Sequence, residues 1–164
     1  MKLFTRLLLI GGLSAVATHG WAATATTTFT VTGTVVAACS VTAGGMSFGT
    51  TIPNPITANI DATSTITATC ANGTPYTIAL SAGGGPGATF ATRFMTNGGS
   101  TMTYSLYTNA ARTAVWGTGA AGSTVAAGTG NGAAQPITVW GRIPPQTVAT
   151  AGAYTDTITV TITF

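Results

Sequence analysis

Beyond Ala22 the chain alternates apolar with hydroxylated residues, most sharply in YTDTITVTITF, where Ile158, Val160, Ile162 and Phe164 fall on one face and Thr157, Thr159, Thr161 and Thr163 on the other. Successive side chains of a strand point to opposite faces, so a period of two rich in β-branched residues predicts a strand with one face buried. The same phase runs through Phe29, Val31, Gly33, Val35, Ala37, Cys39 and Val41, with Thr30, Thr32 and Thr34 opposite. That run is long beside a typical strand of about five or six residues, which predicts two strands in series. Further strands are predicted at 46–50, 63–70 (Ile66, Ala68 and Cys70 on one face), 76–81 (Tyr76, Ile78, Leu80), 101–107, 113–117, 136–142 and 154–164. Gly, Asn and Pro punctuate them and no helical period recurs, so the class is all-β, a sandwich or barrel.

The first 22 residues, MKLFTRLLLIGGLSAVATHGWA, break this pattern. Lys2 and Arg6 form a positive end, an apolar run from Leu7 to Ala17 follows, and Gly20 and Ala22 supply the small pair of a cleavage site, as in a secretory signal. The run is shorter than the roughly 20 apolar residues of a membrane span. Cleavage is expected after Ala22, with Ala25 as the alternative site and an uncleaved anchor as the alternative reading. Residues 23–164 then suffice for one domain with a single core.

Removing the signal changes the charge argument. The formal charge of +3 includes Lys2 and Arg6; what remains is Arg93, Arg112 and Arg142 against Asp61 and Asp156. Nucleic-acid binding needs clustered cations that displace counterions from phosphates, and three scattered arginines do not supply them. Cys39 and Cys70 are the two cysteines, an even count that in an exported chain predicts one disulfide, two free buried thiols being the alternative.

The chemistry of catalysis is largely missing. His19 lies in the signal, and residues 23–164 contain no His, Lys or Glu. General acid–base work needs a group that titrates near neutral pH, and no base is present to activate the many Ser and Thr hydroxyls. The chain is therefore read as a non-enzyme, without cofactor or metal. The glycine clusters at 83–87 (GGGPG) and 117–132 lack the Lys and following helix of a phosphate loop, and are read as turns and a mobile surface loop. Trp116, Trp140 and Tyr104 are expected to pack in the core or on a sheet face. Arg142 is expected to anchor a carbonyl or pair with a carboxylate, and Asp156 to sit in a turn or accept a salt bridge.

Two sheet-forming ends with strong apolar faces leave one edge without an obvious partner. Exposed edges are usually covered, and one way of covering them is a strand lent by another copy. At this point several segments taken in order, FTVTGTVVAACSV with Cys39, FGT after Met46, ATC with Cys70, YSLYTN from Tyr104, WG at Trp116, WGRIPPQ from Trp140 and the ending GAYTDTITVTITF, resemble the spore coat protein U family. That family includes the pilins of archaic, Csu-type chaperone-usher pili. Trp140 stands where the family more often carries Tyr or Phe.

The resemblance implies an incomplete immunoglobulin-like β-sandwich over residues 35–164, preceded by an N-terminal donor strand at 23–34. It implies that Phe29, Val31 and Val35 fill the groove of a neighbouring copy or related pilin. Cys39 and Cys70 would form the internal bridge, and Ile158, Val160, Ile162 and Phe164 would border the groove and contact a periplasmic chaperone. The junction between donor and domain is expected near residues 35–37. Function would then be structural: a pilus subunit for adhesion and biofilm formation, secreted through the periplasm to the cell surface and meeting the membrane only through an outer-membrane usher. A spore or cell-surface coat protein of the same family is the alternative. A small outer-membrane β-barrel is a third reading, against which stand the cysteine pair and the scarcity of aromatic residues for two interfacial girdles.

Overall fold

Eight strands are found among residues 20–148 and 150–164, which the computed structural model describes. They are β1 (Cys39–Ala43), β2 (Ile60–Cys70), β3 (Pro75–Leu80), β4 (Arg93–Asn97), β5 (Ser100–Tyr107), β6 (Ala126–Thr129), β7 (Ala134–Ile143) and β8 (Val160–Thr163). No helix occurs among the described residues. The expected signal peptide lies outside them up to residue 19. Val35–Phe164 forms one compact unit.

All pairings are antiparallel, in a five-stranded sheet of order β1-β2-β7-β5-β4 and a three-stranded sheet of order β6-β3-β8. The backbone of the larger sheet is the β2–β7 ladder, which runs from Ile60 opposite Ile143 to Thr69 opposite Ala134. Inward residues of both sheets make one core: Ile66, Ala68 and Val139 from the larger sheet meet Tyr76, Ile78 and Leu80 from the smaller. Each large apolar side chain so buried contributes about 1.5–3 kcal/mol. Trp116 is 0% exposed, and its indole Nε1 donates to Ile78 O at 2.9 Å, so the ring fills the core with its one donor satisfied.

Two further devices hold the sandwich. The Cys39–Cys70 disulfide joins β1 to β2 at directly opposed positions, so the free-thiol alternative is set aside. Arg93, at 0% exposure, donates to three backbone carbonyls, those of Ser81 (2.9 and 3.0 Å), Phe90 (2.8 Å) and Trp116 (2.7 Å). Burial lowers its pKa, and the rigid guanidinium fork serves as a hub that ties the β3–β4 connection to the β5–β6 connection.

The structure departs from the alternation pattern in several places. Of the long run at 29–41, only Cys39 to Val41 lies in a strand; residues 20–38 form none and are exposed, since β2 ends at Cys70 opposite Cys39 and the pairing closes with the bond from Ala71 N to Ala38 O. Residues 46–50 are a loop, although Met46 and Phe48 still turn inward against the core. Residues 113–117 make only isolated bridges, Val115 with Tyr107 and Trp116 with Thr124. In the last segment the strand begins at Val160, while Thr155 bridges Thr96 of β4 in the other sheet. Conversely, β4 was not expected, and β6 lies inside the glycine-rich stretch read as a mobile loop.

Candidate functional site

Each sheet ends in a strand with one unpaired side, β1 and β8, and the last residue of the one, Ala43, and the first of the other, Val160, border a partly apolar groove. On β8, Ser81 N donates to Thr159 O at 3.0 Å, so the backbone groups of Thr159, Thr161 and Thr163 turn toward β3. Those of Val160 and Ile162 turn the other way, where no strand pairs with them. On β1 the bonds Gly44 N to Thr65 O and Ala71 N to Ala38 O, both 2.9 Å, set the opposite phase. Ser40 and Thr42 therefore face β2, and Cys39, Val41 and Ala43 present their N–H and C=O to the open side. β1 and β8 lie near one another without a ladder between them.

At the Ala43 end of β1 lies a cavity of about 440 Å³, lined on one side by residues 43–46 and Phe48 and on the other by 154–158 and Val160. Its floor is Leu80, Tyr104, Leu106 and Val139. A second cavity of about 620 Å³ shares Met46, Phe48, Met95 and Tyr154 with the first and extends to residues 49–54 and 150–153. Gly141 permits this arrangement, since a Cβ there would collide with Met46 Sδ and approach Phe48 Cζ to 2.9 Å. Phe48 in turn packs edge-on against Tyr104, with ring centroids 6.2 Å apart.

One wall of the groove is polar. Asp156 accepts from Tyr104 Oη (2.6 Å), Gly84 N (2.8 Å) and its neighbour Thr157 N (2.7 Å). Burial raises the Tyr104 pKa, and the bond to the Asp156 carboxylate adds to that. Asp156 thus accepts from three donors, one on β5, one in the 83–87 turn and one from its own neighbour, with no ion pair, in place of the turn residue or salt-bridge acceptor expected.

The remaining charges gather elsewhere, on the outer face of the larger sheet. Arg142 holds Asp61 through two bonds of 2.8 and 2.9 Å, as the carboxylate pairing expected of it, and Arg112 Nη1 reaches the same carboxylate at 3.2 Å. The Arg112 guanidinium also lies 5.5 Å from the Trp140 ring centroid. The hydrogen bond to Arg142 holds the Asp61 carboxyl below its usual range and raises the Arg142 pKa.

The predicted site residues divide as follows. Ile158 and Val160 line the groove. Ile162 packs against the core opposite Ile78 without lining the cavities, and Phe164 is 56% exposed. Phe29, Val31 and Val35 are all exposed. Met46, Met95, Tyr104 and Asp156 also line the groove and are not among the predicted site residues; the two-residue spacing of Met46 and Phe48 within the 46–50 prediction, which carries no phase, was the available signal. Among the described residues no group of three or more His, Cys, Asp or Glu is placed to hold a metal.

The Spore Coat Protein U domain matches residues 25–161. In fold the protein is similar to a chain in the crystal structure of the CsuC-CsuE chaperone-tip adhesion subunit pre-assembly complex from archaic chaperone-usher Csu pili of Acinetobacter baumannii, with TM-score 0.55 and 23% identity over 80% of this chain. The match covers 40% of that chain, so the present protein spans less than half its length. The likeness is one of fold, an incomplete immunoglobulin-like β-sandwich. No curated protein matches this chain.

Proposed function

The chain belongs to the Spore Coat Protein U domain family, and from that premise we propose that it is a structural pilus subunit that polymerises by donor-strand complementation. The observation that carries this reading is the pair of unpaired strand edges, β1 and β8, which meet a partly apolar groove at Ala43 and Val160. A strand laid between them satisfies the backbone groups of Val41, Ala43, Val160 and Ile162 and covers the groove floor. Residues 23–34 form the donor extension and 35–164 the domain. Phe29, Val31 and Val35 are the side chains that enter a neighbour's groove, and Ile158, Val160, Ile162 and Phe164 form the edge that a periplasmic chaperone meets first. Three buried side chains at roughly 1.5–3 kcal/mol each give about 5–9 kcal/mol of gross burial, comparable with the stability of a whole small domain.

In this reading residues 1–22 direct export, an outer-membrane usher exchanges the chaperone for the next subunit, and the product at the cell surface serves adhesion and biofilm formation. The protein does no chemistry and needs no cofactor. The test is deletion of residues 23–33 combined with a synthetic peptide spanning 23–35. Loss of polymers, with a peptide that binds and raises the melting temperature, supports the reading. A truncated protein that stays unfolded whatever peptide is added would make those residues an internal strand and remove the mechanism.

A further inference from the structure

We propose that Met46 and Met95 make this groove an oxidation-sensitive site, which a peroxide closes to an apolar strand by converting their thioethers to sulfoxides. The proposal rests on the strand-accepting reading above. All the methionines of the described chain converge here: Met46 and Met95 line both cavities and Met102 lines the second. No free cysteine competes for an oxidant. Exposure grades the three, with Met46 and Met95 half-buried at the groove wall and Met102 buried at 5%.

The chemistry balances with one named co-reactant. A sulfur lone pair of the thioether attacks one oxygen of hydrogen peroxide, the O–O bond breaks, and the second oxygen leaves as water after taking up a proton. Sulfur is oxidised to the sulfoxide and the peroxide is reduced. The product replaces a soft apolar group by a strong hydrogen-bond acceptor. Met46 lies against Gly141 and Phe48, neither of which offers a side-chain donor, and the hydroxyls of Ser64, Tyr104 and Tyr154 in the cavity lining already donate to Gly44 O, Asp156 Oδ2 and Thr150 O. An apolar strand covering such a sulfoxide strips its water without replacing the hydrogen bond, which lowers affinity by about tenfold or more per group. Unmodified Met has the opposite quality, since its flexible chain conforms to whatever side chain is laid on it. A seated strand also shields both sulfurs, so the filled site is protected.

The experiment treats the purified monomeric chain with hydrogen peroxide, locates sulfoxides by mass spectrometry and follows polymer growth by light scattering. Met46 and Met95 are expected to oxidise before Met102. Polymer growth should slow by about tenfold or more, and recover when the two stereospecific methionine sulfoxide reductases are added. The M46L/M95L variant should polymerise at one rate with and without peroxide, whatever that rate is. Undiminished growth with both sulfoxides in place, or slowing that tracks Met102 oxidation, would overturn this inference and leave the strand reading intact. A chain that fails to polymerise before any oxidation overturns both.

Discussion

Tyr104 Oη donates a 2.6 Å hydrogen bond to Asp156 Oδ2, tying the interior of the larger sheet to the segment that leads into the open edge strand β8. The other carboxylate oxygen accepts from Gly84 N, so one side chain joins β5, the 83–87 turn and the groove wall. Asp156→Ala removes the acceptor from both and should cost about 1–3 kcal/mol in urea unfolding. Tyr104→Phe removes one bond and leaves the Gly84 bond intact, so it should cost about 0.5–1.5 kcal/mol. Equal losses for the two variants would show that the turn gains nothing from the carboxylate.

Arg93 separates charge from geometry. Its fork reaches the carbonyls of Ser81, Phe90 and Trp116 together. Arg93→Lys keeps the charge but replaces the fork with a compact ammonium that cannot span all three. The expected loss is about 2–3 kcal/mol, the cost of leaving at least one buried carbonyl without a donor. A lysine variant with the parental denaturation midpoint would mean that the charge alone is what the loops require.

The elements legible in the sequence are those whose alternation coincides with burial. In β3, Tyr76, Ile78 and Leu80 are inward and Thr77 is exposed, as their phase predicts. β4 carries no such signal because its buried position is an arginine, and the Ala and Gly of β6 are indistinguishable from loop. The predicted strand at 154–164 fails in its first half for a nonlocal reason. Arg93 occupies the Ser81 carbonyl, so Thr159 N turns to Ser81 Oγ at 2.9 Å and the regular ladder starts at Val160. The groove's apolar edge could be read from Ile158 and Val160. Its polar wall could not, since Tyr104 and Asp156 meet only through the pairing of distant strands.

Gly141 offers a test of the groove that leaves its walls chemically unchanged. A methyl group at this position meets Met46 Sδ and Phe48 Cζ, so Gly141→Ala displaces the Met46 side chain and crowds the Phe48 ring against the inner face of β7. Overpacking of this kind costs about 1–3 kcal/mol. Peptide 23–35 should bind the variant more weakly than the parent at equal folded fraction, as read by calorimetry. Unchanged affinity would place the peptide away from the Met46 side of the groove.

Asp61 sets an acid limb on stability. Its carboxyl is held below the ordinary 3.8 first by the hydrogen bond to Arg142, then by the nearby Arg112 charge, with burial opposing. A depressed folded pKa means that the contribution is fully present above the unfolded value and lost as pH falls through the folded one. Nothing from this group should change between pH 7 and 5, and the loss belongs below about pH 4. With the side chain 37% exposed, the size is that of a surface pair, roughly 0.2–1 kcal/mol, and shrinks with salt. Asp61→Asn should be less stable at pH 7 and flatter below pH 4 in thermal melts.

Phe29 gives the sharpest division between folding and assembly. It is 86% exposed and precedes the compact unit Val35–Phe164, so an aspartate there removes no core contact and should leave the melting temperature of the monomer within experimental error. In a polymer the same side chain is the largest of the three that would enter a neighbour's groove, and an unpaired carboxylate cannot be buried there without a partner. Phe29→Asp should therefore slow polymer growth by about a hundredfold or more at pH 7, taking the loss of one buried aromatic as roughly 3 kcal/mol. The effect should be confined to the donor side, so that Phe29→Asp chains still accept peptide 23–35 with parental affinity. Loss of peptide binding as well would mean that Phe29 supports its own domain, and would count against the division at residue 35.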